Sequence, residues 1–134
     1  MTQENLLQID DPDMWDCRID TYDMPSILNL LAYHHTDTNA RFTIRFASIK
    51  YLCGPPQWKG VNLTVAPKEQ CLDIMESLPQ YKDLQSKTIL KTYRLYHLGS
   101  VGQHKSEFQV IAAFSVEIER DGSSEFIDTS DAYE

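Results

Sequence analysis

Hydrophobic and polar residues alternate most regularly between Thr88 and Arg120. Phe108, Val110, Ala112, Phe114, Val116 and Ile118 share one parity and Gln109, Ser115, Glu117 and Glu119 the other, with only Ile111 and Ala113 breaking the polar set. A period of two with one apolar parity predicts a strand that buries one face. Thr88 to Leu98 is rich in β-branched and aromatic residues, and residues 99–106 between the two runs hold two glycines. The spacing predicts a long hairpin.

Upstream, Trp15, Cys17 and Ile19 alternate with Asp16, Arg18 and Asp20, which predicts a short strand with acidic residues on its outer face, ended by Asp23-Met-Pro25. Residues 26–33 suit a helix as well as a strand, since Leu and Ala favour helices, but the turn-like 34–40 after them tips the reading to a buried strand. From Arg41, the residues Phe42, Ile44 and Phe46 keep one parity until Ile49 and Tyr51 take the other. A shift by one residue is what a β-bulge produces. Residues 53–60 read as a loop by their Gly and Pro content, and Val61, Leu63 and Val65 as a half-buried strand. Pro67 suits a first helical turn, Glu69 suits its positive end, and Cys71, Leu72, Met75 and Leu78 make an apolar stripe that Pro79 ends. One short helix is expected over about residues 67–78. The fold class that follows is α+β: a mostly antiparallel, curled sheet of five or six strands with that helix packed on it, in a single domain over residues 1–134.

Composition changes this picture little. The chain has 134 residues, 42% hydrophobic and 24% charged, which suits one globular core. No apolar run reaches the roughly 20 residues of a membrane span, and the start lacks a basic leader, so a cytoplasmic protein with no membrane partner is expected. Cys17, Cys53 and Cys71 are odd in number and far apart, which fits reduced thiols better than a disulfide framework or a metal knuckle.

Charge is more informative. The net charge is −8, yet residues 1–23 carry seven acids against Arg18 alone and residues 121–134 carry five acids and no base. The middle of the chain is therefore slightly basic. Residues 1–13 read as an acidic arm and 121–134 as an acidic tail, and such segments keep a protein soluble or steer a basic partner toward it.

Candidate chemistry is sparse. The chain holds no P-loop, dinucleotide fingerprint, nucleophile elbow or zinc-protease motif, so no catalytic residue, metal or cofactor is expected, and the reading leans away from an enzyme. His34 and His35 are neighbours, which on an extended chain point opposite ways; a solvated turn explains them without a metal. Arg41, Arg45, Lys91 and Arg94 are too few to overcome the acidic ends, which argues against nucleic acid. The best contact candidate is the proline-stiffened loop carrying Trp58, which would be either an exposed anchor or a lid on the core. With Asp11, Asp13, Asp16 and Asp20 it suggests a non-enzymatic acidic module that binds a basic protein partner, possible roles being an inhibitor or immunity-type protein. Two alternatives follow other features: a small-ligand or enzymatic cavity between helix and sheet, lined by Tyr93, Tyr96, His97 and Phe114, and a homo-oligomeric structural subunit paired through a hairpin edge.

Overall fold

The structure is a computed structural model that describes residues 5–23, 26–81, 83–101 and 108–133. In chain order its strands are Trp15–Asp23 (β1), Ile27–His34 (β2), Arg41–Ala47 (β3), Tyr51–Cys53 (β4), Gln57–Lys59 (β5), Thr64–Val65 (β6), Tyr93–Leu98 (β7), Phe108–Ala113 (β8), Ser115–Arg120 (β9) and Ser123–Asp128 (β10). The α-helices are Lys68–Ser77 (α1) and Ser86–Thr92 (α2), with short 3₁₀ turns at Pro12–Met14, Pro79–Tyr81 and Ser130–Tyr133. Six strands pair in the order β10-β9-β3-β2-β1-β5 and four in the order β4-β8-β7-β6. All described pairings are antiparallel.

The two sheets share one core. Leu28, Leu30, Ile44 and Phe46 of the larger sheet meet Tyr96, Leu98, Val110 and Ala112 of the smaller one. On the smaller sheet's other face, Cys71 and Met75 of α1 and Ile89 of α2 pack against Leu95 and Ile111. The smaller sheet is thus a middle layer, covered on both sides. That explains the unbroken apolar run Val110-Ile111-Ala112: a strand with two buried faces has no polar parity. β9, with one face in water, alternates cleanly.

The mostly antiparallel α+β character, the strand over 27–34 and the first helix agree with the sequence reading. Five expectations need correction. The single curled sheet is two sheets, and one helix is two, because Ser86–Thr92 forms α2 where a strand was expected from Thr88. Ile89 is fully buried in the second core, and that burial outweighs the weak β preference of Thr88, Ile89 and Thr92. The hairpin is therefore shorter, pairing Tyr93↔Ala113 through Leu98↔Phe108; its linker residues 102–107 lie outside the described residues.

Phe108–Arg120 is likewise two strands in different sheets, parted at Phe114. The register shift after Ala47 is not a bulge but the point where the chain leaves one sheet for the other, through Ser48 at φ 55°. A bulge does occur in β1, between Ile19 and Thr21.

Of the acidic ends, residues 5–13 are docked. Leu7 is buried in the shared core, and the Leu6 amide donates to the Leu63 carbonyl at 2.8 Å. The expected acidic tail contains β10 and the last 3₁₀ turn, whose Tyr133 hydroxyl donates to the Ala66 carbonyl at 2.7 Å. Arg94, 1% exposed, ties that turn to α2. Its Nε donates to Thr129 O (2.9 Å), Nη1 to Leu90 O and Tyr93 O (2.5 and 2.8 Å), and Nη2 to Ser130 O (2.9 Å).

Candidate functional site

The larger sheet turns its outer face to water, and cross-strand register organises that face into rows. One row runs Thr21, Asn29, Arg45, Glu117 and Phe126 across five strands. Its first four members form a continuous polar chain. Asn29 Nδ2 donates to Thr21 Oγ1 at 2.8 Å, Arg45 Nε to Asn29 Oδ1 at 2.6 Å, and Arg45 Nη1 to Glu117 Oε1 at 2.7 Å. Arg45 Nη2 reaches Glu119 at 3.3 Å. Each partner favours the other's charged form: the hydrogen bond from Arg45 holds the Glu117 carboxyl below its ordinary range, and Glu117 raises Arg45.

Phe126 ends the row without continuing its chemistry. It is 68% exposed, the most exposed large hydrophobic side chain among the described residues, on a strand paired only with β9. On its face stand Glu117 and Glu119 of β9 and Asp128 of β10, while Glu125, its neighbour along the strand, points to the other face. The strand exists because Asp121 (φ 49°) and Gly122 (φ 80°) make a two-residue turn with both central residues left-handed, which brings Ser123 opposite Arg120.

At the opposite end of the same face, Asp16, Tyr33 and Arg41 form another row. With Arg18, His35 and Thr38 they border an open cavity of about 480 Å³. His35 Nε2 meets Asp16 Oδ1 at 3.0 Å, and His34 Nε2 meets Asp11 Oδ2 at 3.0 Å. The Nδ1 atom of His34 accepts the Thr36 and Asp37 amides at 3.2 and 3.3 Å, so its proton sits on Nε2 and is donated to Asp11. The hydrogen bonds from His34 and then Trp15 hold the Asp11 carboxyl low. The histidine pair is therefore a turn fastened to β1 and the segment before it. Those partners stand 23 and 19 residues upstream, and no periodicity signals a pairing of that kind.

The expected contact residues do not share one surface. Trp58 takes the lid arrangement: it is 6% exposed, stacked on Phe108 with centroids 4.2 Å apart, and in register with Cys17 where β5 closes the sheet edge. It cannot serve as an exposed anchor. Asp11 and Asp16 are bonded to the two histidines, Asp13 Oδ1 accepts the Val101 amide at 2.8 Å, and Asp20 is exposed at the β1 bulge.

Nor do Tyr93, Tyr96, His97 and Phe114 line one cavity between helix and sheet. Strand alternation puts Tyr96 in the inter-sheet core, its hydroxyl donating to Ala113 O at 2.8 Å, and Tyr93 under the helices. His97 follows Tyr93 in parity, with burial lowering its pKa and its Nε2 unpartnered among the described residues. Phe114 stands apart at the sheet crossing, half-exposed. Among the described residues no group of three or more His, Cys, Asp or Glu side chains could hold a metal ion, and no helix is long and apolar enough to cross a membrane. Compared with protein-family models, with curated proteins and with solved structures, the chain matches none.

Proposed function

We propose that this protein is a non-enzymatic binding module that takes up an extended, basic segment of a partner protein along β10. One observation carries the reading: a large aromatic, Phe126, stands 68% exposed on an edge strand with Glu117, Glu119 and Asp128 on the same face. An edge strand offers unpaired backbone donors and acceptors to an added strand. The exposed ring adds apolar area with few rotamers to lose on binding, and the carboxylates select cationic side chains beside it. A second copy of the same edge is disfavoured, because antiparallel pairing would bring Glu125 and Asp128 of one copy close to those of the other. The three thiols are unbridged, which suits a reducing, cytoplasmic setting.

The test is retention of a partner from native lysate on the immobilised protein at low and high salt, repeated with Phe126→Ser and with Glu125→Lys/Asp128→Lys. The expected partner is held at low salt, weakened at high salt, and weakened about tenfold or more by either variant, as for loss of a central anchor. Capture that ignores salt and both variants would remove the proposal. Light scattering that found a dimer lost on Phe126→Ser would replace it with self-association.

A further inference from the structure

We propose that the cavity between α2 and the sheet crossing at Phe114 is a binding site for a small amphipathic anion, a carboxylate carried on an apolar body. The cavity measures about 640 Å³, the size of a small-molecule site. Leu90, Phe114 and Tyr133 give it apolar walls, and three cations border it: Lys87, Lys91 and Arg94. Lys87 and Lys91 lie one turn apart on α2 and are both exposed, so they project from the helix face that also carries Leu90.

Arg94 is the decisive member. A guanidinium has five N–H groups, and the four hydrogen bonds to the Thr129, Leu90, Tyr93 and Ser130 carbonyls use four of them. The fifth, on Nη2, meets no acceptor among the described residues. Nor does any described carboxylate lie within ion-pair distance; the nearby Asp128 carboxylate is turned to the Ser130 amide at 2.8 Å. The Tyr133 ring beneath the guanidinium, at 4.7 Å, does not neutralise it. Among the described residues, this buried arginine is hydrogen-bonded by neutral carbonyls alone, and Asp128 meets its charge only through space.

Stapling the last 3₁₀ turn to α2 accounts for four of its N–H groups. It accounts neither for the fifth nor for two lysines converging on the same apolar cavity in a chain of net charge −8. A carboxylate head at Arg94, rimmed by Lys87 and Lys91, with its tail against Leu90 and Phe114, would use all of them.

Decanoate is the probe, titrated into the whole protein by calorimetry, with decanol and inorganic phosphate as controls. Saturable binding of decanoate is expected, about tenfold or more tighter than decanol, which shares the tail, and than phosphate, which shares the charge. Arg94→Met can fail to fold, so the deciding variant is Lys87→Gln/Lys91→Gln, whose side chains are exposed; it should weaken decanoate about tenfold and leave decanol unchanged. Equal binding of decanol and decanoate, equal binding of phosphate, or an unaffected double variant would each overturn the proposal. So would capture of the protein by phosphatidylglycerol vesicles without binding of monomeric decanoate, which would assign the cations to a lipid surface.

Discussion

At Gly60 the backbone has φ +102°, and a Cβ built there would stand 2.4 Å from the carbonyl carbon of Gly99. Gly60→Ala therefore meets both left-handed strain and an immovable backbone neighbour, and should cost about 3 kcal/mol in urea unfolding. Gly122 has φ +80° and nothing within 4 Å of its built Cβ. Gly122→Ala meets conformational strain alone and should cost about 1 kcal/mol. Equal losses at the two glycines would contradict this account. Glu117 yields a prediction in pH. Its carboxyl is held below the ordinary 4.5 chiefly by Arg45, so its contribution to stability is present above that value and is lost as pH falls through the lower folded-state pKa. Glu117→Gln should lower the melting temperature at about pH 7 and approach the unmodified protein at about pH 3. A deficit constant across that range would mean that the pair contributes nothing through charge.

The elements most legible in the sequence were those with one buried face. β1 and β9 alternate as a half-exposed strand must, and α1 carries its stripe of Cys71, Leu72, Met75 and Leu78 into the second core. The crossing at Phe114 was hidden for a physical reason. Phe108, Val110 and Ala112 reach the shared core from one sheet and Val116 and Ile118 from the other, always on the same parity. The period never falters where the chain changes sides. β10 did leave a mark, since Asp121-Gly122 is a strong signal for a two-residue hairpin turn, but five acids in fourteen residues read more readily as solvated tail. Phe126, the key of the proposed interface, was hidden with it. The elements also set thiol chemistry apart. Cys17 is buried on β1 and Cys71 on α1, the latter with its pKa pushed up to about 11 by burial, whereas Cys53 is exposed at the end of β4. A thiol reagent should modify one cysteine rapidly in the folded protein and the other two only in denaturant. Two fast thiols would mean that one core opens readily.

Across the whole molecule, the last described residues bind its layers together. Thr129 and Ser130 give their carbonyls to Arg94, Thr129 Oγ1 lies 3.0 Å from the Tyr96 hydroxyl, and Tyr133 bonds the Ala66 carbonyl and accepts the Leu95 amide. Deleting residues 121–134 should thus abolish cooperative unfolding seen by circular dichroism. Neutralising Asp121, Glu125 and Asp131 in place should leave it intact. A deletion that melted like the full chain would reduce the segment to a charged appendage.

The covered middle sheet carries one more consequence, for how freely this chain can vary. In a library of substitutions, Val110, Ile111 and Ala112 form three successive positions at which a polar side chain has no water to turn toward. Beyond Phe114, every second position regains that freedom at Ser115, Glu117 and Glu119. One uninterrupted run of chain should therefore divide at a single residue into a half that drifts scarcely at all and a half that drifts at alternate sites.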